Sequence, residues 1–357
     1  MIKSKYIAIG LMSGSSMDGL DICAVEFSYE REKWNYTILS AACQPLGDYW
    51  LQQLRYLPSA SAIEILEADA AFGKWLGMQV NDYIIKNNIY NIDIIASHGH
   101  TLLHQPHRGF TLQIGAGADI AAITGITTVC NLRATDIALG GQGAPIVPIG
   151  DMLLFSSYQA CLNIGGIANI SIKQKERIIA YDICAANQIL NFLTQKLGAD
   201  YDKKGIWARE GVLIPQLLNE FLKLDFHHKN PPKSMANEWV RSQILNRLDE
   251  IKEMIDIKNY LHTYTEGIAI CIADAINKYK AKQTLVSGGG AYNSYLISRI
   301  QSHTQHEIVI ADDYTIQYKE ALVMALIGVL RLRGEHNVLA SVTGATTNSC
   351  GGELHRV

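Results

Sequence analysis

Gly14, Ser15, Ser16, Asp18, Gly19 and Asp21 crowd into one polar turn between two apolar runs, Tyr6–Leu11 and Ile22–Phe27. Residues of these types can hold phosphate. Glycines let backbone N–H groups along Gly14–Asp21, those of Met17 and Leu20 included, come close to an anion, and the two hydroxyls add donors. Asp18 would repel a bare phosphate, so the turn fits a phosphate bridged by Mg²⁺, which Asp18 would reach through a water. Taken alone, the segment reads equally well as an ordinary hairpin turn.

The theme returns downstream. Asn163 and Ile164 lead into Gly165-Gly166, and an apolar run through Ala168, Asn169 and Ile170 follows. A third loop, Gly288-Gly289-Gly290 with Asn293, follows the strand predicted over Thr284–Val286 and opens a helix. Three glycine loops at strand ends fit a nucleotide held between two lobes, with the hairpins on the phosphates and the third loop near the adenosine. Asp182 and Asn187 follow the strand predicted over Arg177–Tyr181. There a carboxylate serves either as a helix N-cap or, in a cleft between phosphate loops, as a general base.

Other groupings carry less. His98, His100, His104 and His107 invite a metal reading, but no carboxylate or thiolate stands at useful spacing, and clustered loop histidines are more often polar loop residues than ligands. His98, beside Ser97 at a strand end, suits a ligand hydroxyl. Gly115-Ala116-Gly117 resembles a dinucleotide fingerprint, yet Ile120 fills the third glycine position. No GxxxxGK[ST] loop occurs.

The elements that must position these residues follow from the hydrophobic pattern. Residues 5–11, 21–28, 34–43, 91–97, 111–114 and 127–131 read as strands, with a polar loop over Gly99–Arg108. Residues 61–87, 118–124, 265–280 and 318–333 read as helices. The repeated strand–glycine turn–strand unit suggests two similar domains.

Composition excludes several classes. A chain of 357 residues that is 48% hydrophobic can bury two cores. A net charge of −3 without a basic tract gives nucleic acid or an acidic membrane no footprint. The seven scattered cysteines form no CxxC pair and indicate neither a disulfide framework nor a zinc site. No segment reaches the ~20 apolar residues of a spanning helix, so a cytoplasmic protein is expected.

With these residues laid out, the chain resembles the anhydro-N-acetylmuramic acid kinases of the actin, Hsp70 and sugar-kinase superfamily over nearly its whole length. Ile9–Gly19 is similar to the family's IGLMSGTSLDG, Ser97–Thr101 to SHGQT with His100 replacing the glutamine, and Thr111–Gly115 to TLQIG. Arg133 and Asp136 with Gly140–Val147 match RxxDxAxGGQGAPLV, and Asn163–Asn169 match NIGGIAN. Tyr201–Ala208, Pro231–Ser234 and Ser341–Ala345 match further family segments. Two segments depart: Asp182-Ile183-Cys184-Ala185-Ala186-Asn187 stands where DTGPGN is common, and Met235-Ala236-Asn237 replaces Thr-Gly-Arg.

The resemblance implies an α/β, two-lobed, actin-like (ribonuclease H-like) fold with an interdomain nucleotide cleft. The lobes expected are residues 1–135, completed by 340–357, and residues 136–339. It implies ATP and Mg²⁺ as cofactors, a small amino-sugar substrate and a homodimer. The implied reaction opens the 1,6-anhydro bridge with water while phosphorylating O6. Asp182 is then the base, and Glu320 holds the sugar or the attacking water, although an exposed helix residue is its plain alternative. Gly14–Asp21, Gly165, Gly166, Asn169, Gly288, Gly289, Gly290 and Asn293 take ATP. Ser97, His98, Arg133, Asp136 and Asn187 take the sugar, with Arg133 suited to a lactyl carboxylate. The alternatives are an ordinary sugar or acid kinase and a non-kinase ATPase of the actin or Hsp70 type.

Overall fold

A computed structural model describes residues 3–14, 17–175, 177–249 and 254–357. The expected phosphate ligands Ser15 and Ser16 lie outside the described residues. Among the described residues twelve strands run in chain order: β1 (Lys5–Ser13), β2 (Leu20–Glu30), β3 (Lys33–Gln44), β4 (Ile94–Gln105), β5 (Phe110–Ile114), β6 (Thr128–Cys130), β7 (Ala160–Ile164), β8 (Ile167–Gln174), β9 (Arg177–Ala185), β10 (Gln283–Ser287), β11 (Glu307–Ile310) and β12 (Glu353–His355). The helices that hold the site are α1 (Ala62–Asn87), α2 (Gly117–Thr124), α3 (Pro148–Leu153), α4 (Asn187–Gln195), α5 (Met254–Tyr279), α6 (Ser294–Ser302) and α7 (Asp313–Arg333).

The chain divides into two compact units, residues 1–154 with 318–357, and residues 155–317. In the first, the sheet order is β12-β6-β4-β1-β2-β3, with β5 paired to β4. In the second it is β11-β10-β7-β8-β9. Each sheet joins an antiparallel meander (β1-β2-β3 or β7-β8-β9) to parallel strands beside its first member (β4 or β10). One α/β topology therefore occurs twice, as the two glycine hairpins anticipate. The turn containing Gly14 and Gly19 closes β1–β2, where Ser13 pairs with Leu20. Gly165 and Gly166 close β7–β8, where Ile164 pairs with Ala168.

Local signals account for the long helices. Ser61 caps α1 by accepting from the Glu64 N–H, and the Glu64 carboxylate accepts from the Ser61 N–H, a reciprocal box that fixes where the helix starts. Phe72, Leu76, Val80 and Tyr83 on α1 then pack with Ile9, Leu11, Ile22 and Ile95 in the first core. Ile268, Ile272 and Ile276 of α5 bury against Ile170, Ile183 and Cys184 in the second.

Three expectations change. The polar loop over Gly99–Arg108 is mostly strand: β4 continues to Gln105 because β5 pairs with it antiparallel, supplying partners that local polarity does not reveal. The strand expected to end at Tyr181 runs on to Ala185, so Asp182 lies inside β9. Residues 136–154 and 318–339, expected in the second lobe, belong to the first unit. They are held there by close packing, since a Cβ on Gly150 of α3 would fall 2.2 Å from Val323 Cγ2 on α7.

Candidate active site

In the first unit, β1 and α7 approach backbone to backbone. A Cβ built on Gly10 would lie 1.8 Å from the Ala321 carbonyl oxygen, so only glycine lets α7 come this close. That contact sets Glu320, next to Ala321, near the β1–β2 turn. A buried ion pair fixes the same helix from its other side: Lys319 Nζ lies 2.6 Å from Asp151 Oδ1, with side chains 7% and 4% exposed.

Three carboxylates gather at this turn. Burial pushes Asp21 up to about 6; its bond with Cys43 opposes the rise, and Asp18 and Glu320 add to it. Glu320 is surface-accessible, yet protein surrounds it densely enough that desolvation raises its carboxyl above the usual range. Arg133 and Lys319 oppose that rise and Asp18 adds to it. Leu20, expected among the ATP ligands, sends its side chain into the core at 1% exposure, so only its backbone is available to a ligand. Within the turn, Met17 N–H donates to the Gly14 carbonyl at 3.1 Å, and Met17 takes φ 58°.

Of the residues expected to grip the sugar, Ser97, His98, Arg133 and Asp136 are held by bonds within the first unit instead of standing as a row of free ligands. Arg133 Nε donates to His98 Nε2 at 2.9 Å, and His98 Nδ1 donates to the Gly99 carbonyl at 3.0 Å. Both ring nitrogens of His98 are thus spent inside the protein, and the ring holds Arg133 rather than a ligand hydroxyl. Burial pushes His98 down to about 3, with the Arg133 charge adding, so the ring is neutral and can accept that bond. Arg133 also donates through Nη1 to the Gly143 carbonyl. Burial lowers its guanidinium to about 10, against the raising effect of Glu320 and Asp136, and it stays charged at neutral pH.

Asp136 is likewise occupied. Oδ2 accepts from Gly143 N–H at 2.7 Å and Oδ1 from Thr343 Oγ1 at 2.6 Å, so this buried carboxylate clamps the glycine-rich loop to the C-terminal segment. Ser97 is fully buried and accepts from Gly99 N–H at 3.1 Å. Two more histidines of the cluster find separate partners: His100 Nδ1 pairs with Ser13 Oγ and His104 Nδ1 with Thr111 Oγ1, each at 3.0 Å.

In the second unit, Asp182 pairs with Asn169 across β8–β9, and the register then slips so that Ala168 faces Cys184. Ile183 is the extra residue of that bulge, which re-aims the strand beside the β7–β8 turn. Asp182 Oδ2 accepts from Met235 N–H at 2.8 Å and from Ser234 Oγ at 3.3 Å. No bond to Oδ1 occurs among the described residues, which leaves that oxygen to take a proton. Burial raises the carboxyl above its usual range, opposed by the Met235 and Ser234 bonds and by the Lys233 charge. A helix-cap role is overturned: α4 begins at Asn187, its N-cap is Ala186, and no side chain caps it.

Two of the expected nucleotide loops, Gly165-Gly166 and Gly288–Gly290, lie in this same unit. Asn187 Nδ2 donates to the Ile164 carbonyl at 3.2 Å and Asn187 N–H to Gly165 O at 3.1 Å, tying the start of α4 to the second hairpin. Gly166 O accepts from Ala186 N–H at 2.8 Å. Gly288, at φ +79°, and Gly290 press on the end of β7, where Cβ atoms would meet Asn163 Oδ1 at 2.5 Å and Ile164 Cγ2 at 2.2 Å; Gly289 beside them is open. Asn293 accepts from Leu296 N–H at 3.0 Å, so its side-chain oxygen caps α6. The sequence reading missed Asp151, Lys319 and Gly10 as positioning residues. Two of them are paired only in three dimensions, and no local pattern marks them.

Comparison with known proteins adds the family. The family model described as anhydro-N-acetylmuramic acid kinase matches residues 6–356. A protein of that name from Aliivibrio fischeri is 35% identical, covering 96% of this chain and 96% of its own. Another of that name from Shewanella loihica is 33% identical, covering 98% and 99%. Among solved structures, an activator of the 2-hydroxyisocaproyl-CoA dehydratase from Clostridium difficile is similar at 13% identity and a TM-score of 0.46, covering 92% of this chain and 96% of its own.

Proposed function

The chain belongs to the anhydro-N-acetylmuramic acid kinase family, and from that premise we propose that it is a hydrolytic kinase that opens the 1,6-anhydro ring of anhydro-N-acetylmuramic acid. It is an ATP-dependent kinase of this family. In the proposed reaction, water adds to the anomeric carbon, the bond from that carbon to the bridging oxygen breaks, and O6 takes the γ-phosphoryl group. The products are N-acetylmuramic acid 6-phosphate and ADP, a step of murein recycling assigned to the cytoplasm and to a homodimer.

The observation that carries this reading is Asp182. Its Oδ2 is held by Met235 N–H and Ser234, and burial keeps its carboxyl more basic than usual. Oδ1 would accept the proton of the attacking water. Glu320 would hold the sugar or that water, and Arg133, aligned by neutral His98, would pair with the lactyl carboxylate. Asp136 shapes the Gly143 loop around them, with Ser97 and Asn187 fixing the neighbouring backbone.

Backbone groups of Gly14–Asp21, Gly165, Gly166 and Asn169 would take the phosphates, and those of Gly288, Gly289 and Gly290 the adenosine side. The carboxylates at Asp18 and Asp21 offer oxygen donors of the kind that suit Mg²⁺, and Asp21, raised by burial with the Asp18 charge adding, would be balanced by a cation there. Asp18 would hold the ion through water; once bound it supplies positive charge against phosphate oxygens.

The test of the reaction is product mass after incubation with Mg-ATP and a panel of anhydro- and ordinary sugars. A product heavier by phosphate plus water supports the hydrolytic kinase, and phosphate alone identifies an ordinary kinase. Two variants separate the roles. Gly14→Val places a branched side chain where phosphate must approach, and losing charge-assisted bonds worth ~1.5–3 kcal/mol should weaken ATP binding ~10- to 100-fold. Unchanged affinity in the folded variant removes this turn from the phosphate site. Glu320→Ala should cost a similar ~10- to 100-fold in sugar binding or turnover while ATP affinity holds. Loss of nucleotide binding with sugar affinity kept would reverse the assignment.

A further inference from the structure

Cys130 closes β6, and β12 brings two residues of the C-terminus to its side, with Glu353 directly opposite Cys130 in the antiparallel register. His355 reaches the same point: its Nε2 lies 3.4 Å from Cys130 Sγ. The ligand atoms of Cys130, Glu353 and His355 all lie within 4.8 Å of one another. Gly117, the first residue of α2, covers the pair so closely that a Cβ there would sit 2.6 Å from Cys130 Sγ and 2.7 Å from His355 Cδ2. Asn131 Nδ2 donates to Glu353 Oε1 at 2.6 Å, which orients the carboxylate and leaves its other oxygen available.

We propose that Cys130, His355 and Glu353 form a zinc-class metal site that fastens the C-terminal strand β12 to β6. Zn–S bonds of ~2.3 Å and Zn–N bonds of ~2.0–2.1 Å at a tetrahedral angle separate sulfur from nitrogen by about 3.5 Å, close to the observed pair. Thiolate, imidazole and carboxylate together select a borderline ion such as Zn²⁺ over Mg²⁺ or Ca²⁺, which prefer all-oxygen shells. Three protein ligands leave the fourth position to water. Asn131 supplies the outer-shell bond that fixes a ligating carboxylate. Binding replaces the Cys130 sulfhydryl proton, which leaves to solvent, and the His355 ring ligates in its neutral form through Nε2. The site shares no residue with the ATP, Mg²⁺ or sugar assignments. Its ligands come from two sheet strands that are distant in sequence, so its effect is to pin the end of the chain.

The probe is Co²⁺, added to the full-length protein after chelator treatment and read by its absorption. One ion per chain with a thiolate-to-cobalt charge-transfer band, displaced by Zn²⁺, is the expected result. Cys130→Ser should abolish the band. His355→Gln should weaken binding beyond the ~10- to 100-fold that loss of an orienting partner costs. Cys271→Ser, at a cysteine distant in sequence beside His227, should change nothing. No band in the wild-type protein overturns the site, leaving a plain sulfhydryl–imidazole hydrogen bond. So does a band that survives Cys130→Ser or disappears with Cys271→Ser. If Cys130→Ser does not fold, as judged by circular dichroism, His355→Gln and Glu353→Gln decide the matter: unchanged Co²⁺ affinity in both rejects the proposal.

Discussion

Asp182→Asn should lose ~10²–10⁴-fold in turnover while both ligands still bind. Asparagine keeps the size of the side chain and one carbonyl oxygen, so it can still accept from Met235 N–H, the 2.8 Å bond that ties β9 to the 233–235 segment. What it cannot do is take a proton from water. A purely structural Asp182 would tolerate the change, and near-normal turnover in the folded variant would end the general-base assignment.

The same residue predicts the acid side of the pH profile. Burial raises its carboxyl above the ordinary aspartate range, and the deprotonated form is the one that can act as base. Turnover should therefore fall as pH drops through a value higher than that of an ordinary aspartate. The measurement is kcat against pH at saturating substrates, with the acid limb absent from the residual activity of Asp182→Asn.

Asp151→Ala should destabilise the first unit by ~3–5 kcal/mol, because it removes one partner of a buried pair and leaves the Lys319 ammonium desolvated. The pair spans 2.6 Å with both side chains under a tenth exposed, which places it outside the ~0–1 kcal/mol range of surface bridges. Denaturant midpoints read the loss, and a shift worth less than ~1 kcal/mol would show that the pair behaves as a surface one. Lys319 adjoins Glu320, so the variant should also lose sugar affinity under conditions where it remains folded. Replacing both partners by apolar residues, Asp151→Leu with Lys319→Met, should recover most of the stability, since no buried charge is then stranded. Recovery of stability without recovery of sugar affinity would indicate that the pair also positions Glu320.

Much of this protein was legible in its sequence where the signal is local. Glycine turns between apolar runs marked the β1–β2 and β7–β8 hairpins, because close backbone approach and strand alternation are written into adjacent residues. The helix read over residues 61–87 was legible from its apolar spacing, which is likewise local, and the structure shows it starting at the Ser61–Glu64 capping box. The family resemblance rests on such short motifs, and it supplied the activity and the candidate base.

The tertiary structure decided where those residues face and which of them are already engaged. β9 reaches past Asp182 because β8 pairs with it through a bulge at Ile183, and β4 reaches Gln105 because β5 lies alongside. His98 and Asp136 carry the right chemistry for ligands, yet Arg133, Gly143 and Thr343 occupy their polar atoms. Asp151 meets Lys319, and Cys130 meets His355, only after the C-terminal segment returns to the first sheet. Strand continuation, ion pairing and ligand clustering each depend on a partner far along the chain. Their free energy exists only once folding has brought that partner within reach, and no window of neighbouring residues contains it.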